Sequence, residues 1–445
     1  MNRIARHAVP LLLAALGCWL LVNVGQTVGR IRDFYTPLPV RDYWRCVIYL
    51  PDYQAFHLGV LWRQHNEHRI VFPELIFASD MLLGHGLMLI PLSVSFICYT
   101  VTWLGLSSVV LLDAGISLSE RWLAGLLAGV FALFESVAIV LAVPFLLQWT
   151  LTQCAVTFSL VCLSLLAGKE SARMLTATIS AAVIATYSSA NGLVLWPLLL
   201  TFAVLLRVSK RSLAILLAAA VLSIGLYFAG YRFSNDLHVS QLIVHPLYTL
   251  GFVCSYLSLP FGAVKAPTFG ISVGVLSLLT AVLCLGVMAK RNLLSSRASV
   301  VLLGYYAFTL LTALLTAAAR IDPSDTSFYA AKGFRYISLP QMNWAGLILL
   351  VFWLLARIRK TQVLTISALA LSLAFLVASV KLGRWLPAAG SFFTSQQAVV
   401  RRLEAGHFDR ELVSHYVFPD LRIVQSGLAD LKASKLSIYY QPAPH

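Results

Sequence analysis

The sequence predicts an all-α polytopic membrane protein, on three observations. Hydrophobic residues make up 59% of the 445 and charged residues only 11%, whereas a soluble domain carries about 25% charged residues. Apolar runs long enough to cross a bilayer, about 20 residues each, recur about eleven times along the chain. Lysine and arginine gather in alternate connections between these runs, the pattern that orients membrane helices. The net charge of +15 is accounted for by those connections. No zinc-finger, helix-turn-helix or RNA-binding signature accompanies it, so nucleic acid is not an expected partner.

In chain order, the first run, 8–28, follows Arg3 and Arg6. It lacks a small-x-small cleavage site and reads as an uncleaved signal anchor. A polar loop, 29–86, comes next. The remaining spans are expected at 87–112, 122–140, 148–167, 174–189, 192–206, 212–230, 268–289, 298–318, 339–356 and 363–380. The 242–262 segment, with Pro246, Pro260 and many aromatics, reads as a re-entrant or interfacial piece. The basic connections are Ser119–Arg121, Gly168–Arg173, Arg207–Arg211, Lys290–Arg297 and Arg357–Lys360. With Arg3 and Arg6 inside, all of them fall in the cytoplasm. The 41–86, 231–266 and 319–338 loops and the tail after Lys381 then lie outside. The chain divides into a membrane domain, 1–380, and a small helical periplasmic segment, 381–445, where Leu421, Val424, Leu428 and Leu431 recur at helical spacing.

Within the first outer loop, Trp44–Arg63 mixes aromatic and charged residues. This pattern suits helices lying along the membrane surface, broken at Pro51. The cysteines are scattered and form no C-x-x-C pair. Cys46 and Cys254 both fall on the outer side, which leaves a disulfide open.

The loop also holds the first candidates for chemistry. Asp42, in RDYW, is a carboxylate near the bilayer surface that suits a general base or a metal ligand. The structural alternative is a helix N-cap or an ion pair with Arg41 or Arg45. HNEHR brings His65, Glu67, His68 and Arg69 into five residues. On a helix, His65 and His68 would share a face, but a metal site needs a third ligand. Sugar or phosphate binding, or a solvated loop, are the other readings. Glu135 is the carboxylate deepest in an apolar run, which makes it a functional candidate or the mark of a turn at the outer interface. Arg320, Lys332 and Arg335 flank an outer loop where basic residues should be few. They suit an anionic partner, and arginine suits bidentate phosphate contacts; snorkelling to membrane lipids is the alternative. Asn191–Gly192 reads as a tight turn, with Trp196 in the core or an interfacial belt. No Walker, GxSxG, HExxH or dinucleotide motif is present.

Asp42 in RDYW, NEHR at Asn66–Arg69, SANGLVLWP at Ser189–Pro197, and Arg320 followed by GFRY at Gly333–Tyr336 occur in an order that resembles the GT-C superfamily of membrane glycosyltransferases. The likeness is to bacterial members of the protein O-mannosyltransferase and lipid A aminoarabinose-transferase type, over the first 380 residues. It implies a GT-C-like bundle with Asp42 as catalytic residue. Arg320 and Arg335 would lie at the phosphate of a polyprenyl-phosphate sugar donor, and Lys332 is a substrate-binding candidate beside them. Glu67, His68, Arg69 and Glu135 are the further substrate-binding candidates. Many members place two acids together in the first loop. Here Arg41 precedes Asp42, which leaves a divalent metal open and Asp42 as a lone base. The expected function is inverting sugar transfer on the periplasmic face of the inner membrane. The competing readings are a transporter or flippase without chemistry, and a polysaccharide polymerase or ligase.

Overall fold

A computed structural model describes residues 3–167, 170–233, 239–261, 267–320, 322, 324–325, 328–382 and 386–441. The 168–173, 231–266, 319–338 and 381–445 segments therefore lie partly outside the described residues.

The chain opens with α1 (Arg3–Phe34). Three short pieces follow: a 3₁₀ turn at Arg41–Tyr43, α2 (Trp44–Val47) and α3 (Leu50–Gln54), with a second 3₁₀ turn at Leu58–Trp62. A hairpin of β1 (Gln64–His65) and β2 (His68–Arg69) precedes α4 (Val71–Leu83). The bundle continues with α5 (Leu89–Leu111), α6 (Leu118–Ala132), α7 (Ala138–Leu141), α8 (Leu147–Leu166), α9 (Ala172–Thr186), α10 (Leu195–Leu205) and α11 (Lys210–Phe228). Then come α12 (Val239–Val244), α13 (Pro246–Leu257), α14 (Pro267–Lys290), α15 (Arg297–Arg320), α16 (Ser338–Arg357) and α17 (Thr361–Leu382). The tail forms α18 (Leu386–Glu404), α19 (Arg410–Tyr416) and α20 (Leu421–Ala433).

All eleven expected spans fall on helices, but among the described residues only seven are long and apolar enough to cross a membrane. An eighth is a bent pair, Leu118–Ala132 with Glu135–Leu141, at 42°. The stretches expected at 174–189 and 192–206 give shorter apolar helices, Ala172–Thr186 and Ala190–Leu205, and the stretch expected at 363–380 falls within α17. The helices lie where the apolar runs predicted them, but a count of eleven crossings is not confirmed. At Gly192 a Cβ would meet the Ala185 carbonyl oxygen at 2.0 Å, so the joint between α9 and α10 is tightly packed. The 242–262 segment likewise contains the short, largely buried α13.

The bend between α6 and α7 is held by polar side chains from elsewhere. Gln341 Nε2 donates to the carbonyls of Phe131, Ala132 and Phe134, and Thr27 Oγ1 donates to that of Leu133. Ser136 Oγ donates to Gln341 Oε1 at 2.8 Å. Carbonyls released from a helix ladder need such partners where water is scarce.

A second core lies at the end of the bundle that carries the 41–86 segment. It joins Tyr43, Trp44, Val47, Leu50, Phe77 and Met81 to Val399, Val413, Val424 and Leu431 of the tail. Of the stretch expected to form surface helices, Trp44, Cys46, Val47, Leu50 and Tyr53 are buried in this core, while 54–59 stay exposed. The Arg41 amide donates to the Val417 carbonyl at 2.8 Å, and the Ser437 amide to that of His85 at 2.8 Å. Gly427 packs directly on Trp44; a Cβ at Gly427 would meet Trp44 Cζ3 at 2.9 Å. Cys46 and Cys254 are both buried and free, so the disulfide left open is not formed.

Candidate functional site

The site is built from the hairpin downwards. His65 and His68 are not on one helix; they are opposed across β1 and β2, with Asn66 at φ 50° completing the turn. Two polar side chains of a short polar run favour this turn over a helix. The turn places Glu67 and His68 at the hairpin tip. Arg69 anchors its base. The Arg69 guanidinium donates to the carbonyls of Trp62 and Ala229 and, through Nε, to that of Tyr227 at 2.6 Å. Tyr227 and Tyr231 each donate a hydroxyl to the Glu67 carbonyl at 3.1 Å. Gln64 completes the clasp, bonding both the amide and the carbonyl of Arg232. The end of α11 therefore fixes the hairpin in place.

Beneath the hairpin lies a cavity of about 500 Å³. Asp42, Glu67, His68, Arg320 and Arg335 all line it, although they come from segments far apart in sequence. Its other walls are mostly apolar and aromatic: Phe145 and Trp149 near the start of α8, Leu193 and Pro197 around α10, Ile224 and Phe228 on α11, and Leu315 on α15. The Asp42 carboxylate has no hydrogen-bond or ion-pair partner among the described residues. Its neighbours are engaged elsewhere: Arg45 donates to Asn66 Oδ1 at 3.1 Å, and Arg41 lies 5.0 Å over the Phe392 ring.

The charges meet at the hairpin tip. Arg320 Nη2 lies 3.6 Å from Glu67 Oε1. Burial disfavours the Glu67 carboxylate, but His68, a backbone amide, Arg320 and Arg335 more than offset it, so its pKa lies below the ordinary value. His68 Nδ1 accepts the Ala190 amide at 3.1 Å, which requires a lone pair there and puts the proton of the neutral ring on Nε2. Burial, then Arg320 and Arg335, holds the His68 pKa down against the pull of Glu67 and Asp42. The site thus combines an unengaged carboxylate, a neutral imidazole and two guanidiniums over an apolar cleft. Among the described residues no group of three or more His, Cys, Asp and Glu side chains is arranged to hold a metal ion.

Three expected residues stand apart from the cavity. Arg69 is consumed by carbonyls, as described. Glu135 sits at the bend after α6, where it pairs with Arg30 at 3.5 Å; it marks the turn in the chain that its alternative reading required. Lys332 is buried in the 3₁₀ turn Tyr329–Lys332, where burial pushes its ammonium down against the attraction of Asp325. Trp196 is core, with its indole donating to Thr186 Oγ1 at 2.8 Å. Gln148, Tyr227, Tyr231 and Asn191 also line the cavity. A glutamine among the apolar residues of FLLQWT was the available signal for Gln148; the tyrosines gave none beyond their place at a helix end.

Comparison with family models, curated proteins and solved structures gives no match.

Proposed function

We propose that this protein transfers a sugar from a polyprenyl-phosphate donor to an acceptor on the outer face of a bacterial inner membrane. The observation that carries the reading is the mixed lining of one cavity: apolar residues from α10, α11 and α15 together with Asp42, Glu67, His68, Arg320 and Arg335. A lipid-linked phosphate has the matching form, an apolar tail and an anionic head. Arg320 and Arg335 would neutralise the phosphate as it departs, and fixed cations aimed at developing charge supply much of a barrier reduction. Asp42 would take the proton of the acceptor hydroxyl as its oxygen attacks the anomeric carbon opposite the phosphate, giving inversion. His68, neutral and held by Ala190, would orient a hydroxyl rather than compete for the phosphate. The GT-C likeness of the motif order points the same way.

The test is donor-induced thermal stabilisation of the purified protein, since a ligand that binds only the folded state raises its stability. Polyprenyl monophosphate should stabilise wild type and lose most of that effect with Arg320→Ala or Arg335→Ala. Equal stabilisation of wild type and both variants removes the phosphate site.

One observation favours a second reading, transport without chemistry. The bent pair at α6–α7 is a discontinuous helix, a feature of transporter cores. Lipid movement across proteoliposomes that persists in Asp42→Asn would support it.

A further inference from the structure

We infer that the same cavity contains a subsite for a neutral, hydroxyl-bearing ring, formed by His65 and Gln148 beside Asp42. This rests on the lipid-phosphate reading above and assigns the sugar to a place within it. His65 is 9% exposed and Gln148 is 4% exposed, and both line the cavity. His65 Nε2 and Gln148 Oε1 have no hydrogen-bond partner among the described residues. A buried polar atom left without a partner costs about 1–3 kcal/mol, and native structures leave few of them. Twelve such atoms occur among the described residues, and these two belong to the side chains that line the cavity together with the unengaged Asp42 carboxylate; a ligand there would supply the missing bonds.

The chemistry of the three groups defines that ligand. A carboxylate and an amide oxygen accept hydrogen bonds. The imidazole is neutral, because burial and then the Arg45 charge push its pKa down to about 4, so it holds one N–H and one lone pair and can donate or accept. Asp42 and Gln148 Oε1 only accept, so the ligand must bring donors to them. An ammonium would bring them too, but Arg45, Arg320 and Arg335 surround the region with positive charge, which disfavours a second cation. Hydroxyl groups remain. Phe145 and Trp149 give this part of the cavity an aromatic lining, the kind of surface against which the C–H side of a sugar ring packs.

The experiment compares a polyprenyl monophosphate with the same lipid carrying one gluco-, manno- or galacto-configured hexose. Kd and ligand-free Tm are measured for wild type, Gln148→Leu, His65→Phe and the double variant. Wild type should bind at least one hexosyl lipid about tenfold more tightly than the bare lipid, as expected for about 1.4 kcal/mol of added contacts. Each single variant should lose most of that preference and the double variant all of it. Affinity for the bare lipid should be kept, and the ligand-free Tm should not fall, since removing an unpartnered polar atom costs the fold nothing. A wild type that binds bare and hexosyl lipids equally overturns the subsite while leaving the phosphate reading intact; water then fills the corner. A preference that survives in the double variant, or a Tm that falls together with bare-lipid affinity, overturns it too. Should the double variant not fold, Gln148→Met alone decides by the same readouts. A wild type that binds neither lipid sinks the lipid-phosphate reading itself.

Discussion

Arg320 and Glu67 face one another at 3.6 Å over the cavity, both side chains about one-third or more exposed. The pair holds Arg320 in place and at the same time partly neutralises it. An arriving phosphate must compete with the Glu67 carboxylate for the guanidinium. Exposed pairs of this kind contribute about 0.2–1 kcal/mol. Glu67→Gln should therefore tighten binding of polyprenyl monophosphate by about two- to fivefold, while Arg320→Lys weakens it through loss of the bidentate fork. Isothermal titration in detergent checks both; unchanged affinity in Glu67→Gln means the carboxylate does not restrain Arg320.

Asp42→Asn should lower sugar transfer by about 10²–10⁴, the range of a lost general base. Expression and Tm should stay near wild type, because no described side chain depends on the Asp42 carboxylate. Near-normal turnover in a lipid-linked sugar assay would make Asp42 dispensable and shift attention to Glu67.

Arg69 should behave in the opposite way. Its guanidinium serves three carbonyls from a buried position, and hydrogen bonds to charged groups contribute about 1.5–3 kcal/mol each. Arg69→Ala should lower Tm and activity together, and Arg69→Lys should recover only part of either. A variant with wild-type Tm and reduced activity would instead put Arg69 at the substrate.

The contrast between Asp42 and Arg69 shows how far the sequence was legible. The all-helical, multi-pass character follows from composition alone, and the site residues Asp42, Glu67, His68, Arg320 and Arg335 could be chosen because they are polar groups in an apolar chain. Their roles could not be separated. Glu67 and Arg69 look alike as charged loop residues, and only the place of the hairpin against α11 shows that one faces a cavity and the other faces carbonyls. Which helices cross a membrane is not legible either: the close contact of Gly192 with Ala185 is a tertiary fact, invisible in hydropathy. His65 was a candidate from HNEHR but Gln148 was not, because an unpartnered atom can be recognised only once all its neighbours are in place.

A pH effect on stability is expected from Glu74, which lies in the second core against Tyr53 and Cys46. Burial pushes its carboxyl from 4.5 up to about 7, against the opposing hydrogen bonds of Tyr53 and Cys46. The folded state therefore holds this proton more tightly than the unfolded chain does. The contribution is full below the unfolded pKa of 4.5 and is lost as pH rises to about 7. At roughly 1.4 kcal/mol per pKa unit the loss is on the order of 3 kcal/mol. Glu74→Gln should flatten the fall of Tm over that window. Asp80, pushed up to about 6 chiefly by burial, acts with the same sign and remains in the variant. Identical Tm–pH curves for wild type and Glu74→Gln would show that Glu74 does not titrate there.

The contact of Gly427 with Trp44 has a consequence for biosynthesis. The loop bearing Asp42 leaves the ribosome early, yet the helix that covers it is among the last segments to be made. Every membrane helix must be inserted before Trp44 can be enclosed. Until then the aromatic residues of the loop are exposed to solvent and to proteases, and contacts this remote in sequence form slowly. Assembly of the site would then be a late checkpoint: a chain stopped before Leu386 should insert but be cleaved at Tyr43 and Trp44 by added chymotrypsin, whereas the full-length protein resists at these two residues.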